Sequence, residues 1–169
     1  MTKYFNNCRT IEDVKQTYKQ LVKELHPDNN INQDTTKAFQ EMQAEYRVAF
    51  NRLKNVHVNA AGETYEKETT ETAEEFADLI NKLYKLNNII IELCGSWLWI
   101  TGNTKEHKEE LKALGFRYAS QKHAWYYHLE PWHKKSKGTS SLDDIRFKYG
   151  STIFNKTYST SKDTDKLTA

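Results

Sequence analysis

The sequence predicts an α+β protein: an N-terminal antiparallel helical hairpin followed by a small ββαββ domain. Three observations carry this expectation. Apolar residues recur at helical spacing in two stretches, from Ile11 to Leu25 and from Phe39 to Leu53, separated by a polar loop. Short runs rich in β-branched and aromatic residues follow at 89–93, 97–101, 116–118 and 124–128, each bounded by turn formers. A charged stretch over 105–114, closed by Gly115, separates the second run from the third.

Taken in order, Tyr4 and Phe5 precede Asn6-Asn7, so any helix here is very short, and the two rings are expected to close one end of the hairpin. Thr10 can cap the first helix, with Asp13 as the reciprocal acid. Its stripe is Ile11, Val14, Tyr18, Leu21, Val22 and Leu25. Lys15, Lys19 and Lys23 recur every four residues and predict a basic row on the exposed side. Pro27 disfavours helical geometry at His26, which ends the helix there. Asp28, Asn29 and Asn30 are turn formers that place His26-Pro27-Asp28 at an exposed tip. Asp34 or Thr35 can cap the second helix, whose stripe is Phe39, Met42, Tyr46, Ala49, Phe50 and Leu53. Residues 1–55 form this first unit.

Residues 56–71 lose periodicity, hold Ala60-Ala61-Gly62 and a Glu/Thr-rich run, and read as a linker. A third helix is expected over 72–86, with Thr72 and Glu75 as a capping box and Phe76, Leu79, Ile80, Leu83 and Tyr84 on its buried face. It leads into the ββαββ module, so that 72–130 form a second unit. Cys94-Gly95-Ser96 makes the tight turn of the first strand pair, and Thr104 can cap the helix over 105–114. From 131 to 169 the chain reads as a basic segment, a short helix over 142–149 capped by Ser141 and stopped by Gly150, and a disordered Ser/Thr/Lys/Asp tail.

Composition bounds the function. Charged residues make up 28% of 169 and mean hydropathy is −0.88. A net charge of +2 is too small to argue nucleic-acid binding by itself. Cys8 and Cys94 are far apart, which suits a reducing compartment better than a disulfide framework. The sequence shows no apolar run for a signal peptide or a membrane span, so the expectation is a cytoplasmic protein without membrane contact. No phosphate-cradling glycine loop appears. His123, His128 and His133 lie five apart with neither Cys nor acidic partners. No enzyme, cofactor or metal centre is expected.

The segment from Tyr18 to Asn30, YKQLVKELHPDNN, followed by Ala38-Phe39-Gln40-Glu41-Met42 and Glu45-Tyr46, resembles a J-domain of the DnaJ type. The resemblance runs over about 3–54, roughly a third of the chain. It implies a binding role: docking on a DnaK-type heat-shock chaperone and stimulating its ATP hydrolysis. His26, Pro27 and Asp28 correspond to the essential loop, and Lys15, Lys19 and Lys23 to the basic docking face. The chain departs from the family in three ways. The first helix is nearly absent, Gln20 stands where a second basic residue often follows the tyrosine-lysine pair, and neither a Gly/Phe-rich segment nor Cys-x-x-Gly repeats occur. The pattern points to a co-chaperone that brings the chaperone to one site or client through its C-terminal module.

That module concentrates aromatic residues. Trp97 and Trp99 share one face of their strand, Trp125 and Tyr127 share one face of theirs, and Tyr126 and His128 point the other way. With Arg117 and Lys122 nearby, an open aromatic face would suit single-stranded nucleic acid. Alternatively, the rings form the small domain's core. The second functional reading is therefore a nucleic-acid-binding accessory protein with a degenerate J-domain. The stretch from Gly95 to Tyr126 also resembles a module of J-domain-like proteins from phages and other mobile elements, a resemblance that carries no function to transfer.

Overall fold

The structure is a computed structural model and describes residues 3–129 and 140–155. Helices α1 (Ile11–Leu25) and α2 (Thr36–Leu53) form the predicted hairpin. The α1 capping box of Thr10 and Asp13 is present. At the other end of the hairpin Phe5 is fully buried against Tyr46, with ring centroids 6.0 Å apart. Tyr18 stacks on Tyr46 at 3.9 Å, which fixes the two helices face to face.

Residues 56–71 are more ordered than a linker. They contain a small antiparallel hairpin, β1 (Val56–Val58) and β2 (Thr64–Glu66), turned at Gly62. Periodicity fails there because the strands are three residues long and only His57 is buried. Helix α3 (Ala73–Tyr84) follows, with its Thr72–Glu75 capping box in place. Its Phe76 ring lies 6.4 Å from Tyr18, and its Tyr84 ring lies 4.6 Å from His26. Helix α3 therefore runs parallel to α1 and joins the helical layer.

The sheet has the order β5 (Arg117–Ala119), β6 (Ala124–Tyr127), β4 (Trp97–Gly102), β3 (Ile89–Cys94), β7 (Thr152–Asn155), and every pairing is antiparallel. Together with α4 (Lys108–Ala113), strands β3 to β6 make the expected ββαββ unit. Helix α4 is shorter than the sequence suggests. Residues 104–107 form a turn instead, and the His107 ring bonds both Asn87 O and Glu110, at 3.0 and 2.9 Å. Strand β7 lies in the stretch read as a disordered tail. It pairs with β3 across about sixty residues, a long-range partnership that local composition does not disclose. The basic segment over 131–139 and the tail beyond 155 lie outside the described residues.

One face of the sheet, with Ile89, Ile91, Leu93, Leu98, Ile100 and Trp125, shares a continuous core with α1, α2 and α3. Leu111 of α4 and Phe116 join the same core. The opposite face carries Cys94, Trp99 and Ala124, covered by Leu142 and Ile145 of α5 (Leu142–Tyr149). Helix α5 is anchored by an ion pair. Glu92 is fully buried and takes two bonds from the Arg146 guanidinium, at 2.7 and 2.8 Å, and a further one from Ser151 Oγ. This bidentate geometry is the strong form of the interaction. Burial pushes the Glu92 carboxyl up, but the Arg146 and Ser151 bonds and the Arg146 charge outweigh it and hold the group below its usual 4.5.

Arg146→Ala leaves a buried carboxylate unpaired and is expected to cost about 3 kcal/mol, read by urea denaturation. Because the folded-state value is depressed, Glu92 stabilises fully above its usual 4.5 and ceases to do so as pH falls through the folded value. Glu92→Gln should therefore flatten the acid limb of the stability curve between pH 6 and pH 3 relative to wild type.

Candidate functional site

The tip between α1 and α2 is braced from within. His26 has extended backbone, φ −61° and ψ 131°, as a residue before proline prefers. Pro27–Asn29 then form a single 3-10 turn, closed by an Asn30 N–H bond to Pro27 O at 3.1 Å. A helix end leaves carbonyls without partners. Here the Asn29 side chain donates to Lys23 O, the Asn30 side chain to Glu24 O, and Thr35 Oγ1 to Leu25 O, at 2.7, 2.7 and 2.8 Å. Thr35 thus serves α1 rather than its own helix, which has no side-chain cap bond at that position.

His26 and Asp28 have different surroundings. The His26 ring packs on Tyr84 at 4.6 Å and meets Phe39 edge-on at 5.8 Å. Its Nδ1 accepts the Asp28 N–H at 3.2 Å. Its side chain is 20% exposed, whereas that of Asp28 is 71% exposed with Oδ2 3.7 Å from the imidazole. His26 is therefore the brace, and Asp28 is the group presented to solvent. Pro27 is exposed between them.

The lysine row differs from expectation. Lys23 is half-buried near the tip, but Lys15 is 7% exposed and Lys19 0%. The reason is tertiary: the side of α1 that bears them faces the rest of the chain rather than water. Lys15 Nζ forms an ion pair with Glu71, itself buried, and lies 4.8 Å from the centroid of the Phe76 ring. Lys19 Nζ has no hydrogen-bond partner among the described residues. Burial pushes its ammonium down to about 8, with the charges of Cys94 and Glu92 partly opposing. Lys15, Lys19 and Lys23 do not form one exposed basic face in this structure.

What covers α1 is the segment from 55 to 71. Glu12 Oε1 bonds His57 Nδ1 at 3.0 Å and Glu12 Oε2 takes the Val58 N–H at 3.3 Å. His57 Nε2 bonds Thr69 Oγ1 at 2.9 Å. With Glu71 on Lys15, these contacts strap the segment across the first turns of α1. Glu12, His57, Thr69 and Glu71 escaped sequence reasoning, because Lys15 and Glu71 are 56 residues apart and no local pattern joins them.

The six aromatic and basic candidates of the C-terminal module do not make one surface. The β4–β6 register pairs Trp99 with Tyr126 and Leu98 with Tyr127. Trp97, Trp99, Tyr126 and His128 therefore share the outward face, where Trp97 lies 4.5 Å from the His128 ring. Trp125 and Tyr127 point inward, Trp125 into the main core. Trp99 is buried beneath α5. Arg117 is exposed on the outward face opposite Tyr126, and Lys122 sits half-buried in the turn before β6. Strand parity gives each residue's face relative to its own neighbours, and only the register says which faces coincide. Burial pushes the Cys94 thiol up to about 12, so Cys94 is packing rather than a nucleophile. Among the described residues no three His, Cys, Asp or Glu side chains converge as a metal would need, and no helix is long and apolar enough to cross a membrane.

Residues 6–55 match the family model of the DnaJ domain. This segment is a J-domain. J-domains in general are co-chaperone modules that work with chaperones of the DnaK type, and they are generally not enzymes. No curated protein and no solved structure matches the chain. The match begins after Phe5 and ends after α2, so in this J-domain the hairpin and its tip carry the likeness. Helix α3 lies outside the match, yet its Tyr84 supplies the surface on which the J-domain's histidine rests.

Tyr84→Ala is expected to release the His26 ring. In proton NMR the His26 imidazole resonances should move downfield, toward those of a free histidine, as the ring current of Tyr84 is lost. Unchanged resonances would show that the two rings do not pack.

Proposed function

We propose that this protein is a co-chaperone that docks on a DnaK-type chaperone through His26, Pro27 and Asp28, stimulates its ATPase, and directs it to a client or site through the C-terminal module. The observation that carries this reading is the braced tip. Asp28 stands out on a turn whose backbone bonds are satisfied internally, so little conformational freedom remains to be lost when a partner closes on it. A carboxylate presented this way suits a charge-assisted bond to an arginine of the partner. Pro27 limits the backbone between brace and acid. Lys23, the most accessible of the three candidate lysines, adds positive charge near the tip and favours encounter with an acidic surface.

The test is a single-turnover ATPase assay with a DnaK-type chaperone. Wild-type protein should raise the hydrolysis rate several-fold, while His26→Gln and Asp28→Asn should each return it close to the basal rate. No stimulation by the wild type, or equal stimulation by the variants, would sink the proposal.

A further inference from the structure

A row of lysines on the docking helix is of use to a partner only if the partner can reach it, and in this structure two of the three are covered. We infer that the chain masks its own docking helix: the 55–71 strap closes over Lys15, and productive docking requires the strap to leave α1. The inference rests on the proposed docking function.

The cover has the physical character of something removable. Within the strap, β2 is exposed at every position and β1 buries only His57. The strap is therefore held to α1 by polar contacts rather than by apolar packing: Glu12 to His57 and to the Val58 N–H, and Lys15 to Glu71. Segments with few buried apolar contacts open at a lower free energy than the global fold. Both its ends are fixed, at the close of α2 and at the Thr72 cap of α3, so it can lift without disturbing either helix.

An acidic partner surface offers Lys15 the counter-charge that Glu71 supplies in the closed state. The two therefore compete for one helix face, and the partner gains by the difference between them.

Glu71→Gln removes the charge that holds Lys15, and Glu12→Gln separately loosens the hairpin without touching Lys15. Two readouts are made on the full chain. The first is the acylation rate of Lys15 by an amine-reactive reagent, located by mass spectrometry. The second is stimulation of the chaperone's single-turnover ATPase. The expected result is faster labelling of Lys15 and a several-fold larger stimulation in both variants, with helical circular dichroism unchanged. Faster labelling with stimulation equal to wild type would overturn the masking inference and leave the docking proposal standing. Faster labelling with no stimulation by any of the three proteins would refute the docking proposal, and the inference with it. A Lys15 that labels as fast in wild type as in Glu71→Gln would overturn the mask directly.

Discussion

Helix α1 is enclosed on more than one side, and the rest of the structure follows from that. Its apolar stripe packs on α2, Tyr18 reaches both Tyr46 and Phe76, and its charged side meets the strap. A helix so enclosed must have its polar groups satisfied within the chain, because water is excluded from them. Glu12 and Lys15 find partners in the strap. Lys19 finds none among the described residues, so the enclosure is not simply the arrangement of greatest stability.

The tip shows how local and distant contacts divide the work. Its backbone is set by residues close in sequence: Asn29, Asn30 and Thr35 complete the end of α1, and Pro27 forces the turn. Its histidine is set by a residue far away, Tyr84 at the end of α3. Helix α3 in turn leads within a few residues into β3, an interior strand of the C-terminal sheet. The conformation of His26 thus depends on a helix outside the residues that match the DnaJ domain.

What the sequence disclosed and what it withheld divide along the same line. The capping boxes at Thr10, Thr72 and Ser141, the stop at His26 and the turn at Gly95-Ser96 were legible, because each is written in residues a few positions apart. Gly95, at φ +57°, takes the left-handed backbone that glycine accepts most readily. Strand β7 was not legible, since Thr152–Asn155 is only four residues long and sits in a stretch rich in Ser, Thr and Lys, and its partner β3 lies about sixty residues away. The lysines were misplaced for a related reason. A charge opposite an apolar stripe is ordinarily solvated, and only the folded chain shows that another segment arrives there. The alternation of the aromatic residues along each strand was legible, but which strand faces coincide was not, because alternation is local while register between strands is not.

The placement of α3 bears on how this J-domain relates to the rest of its chain. A hairpin ending at residue 55 would lose the ring beneath His26, the Phe76 contact of Tyr18, the carbonyl of Ala73 that accepts the Tyr46 hydroxyl, and the cover over Lys15 and Lys19. These losses would uncover Tyr18, Tyr46, Lys15 and Lys19, all of them buried in the full chain. The first third of this protein is therefore not a cassette that can be cut out and grafted elsewhere. The smallest portable unit includes α3 and the sheet that backs it, and descent with this architecture would have to keep hairpin and sheet together.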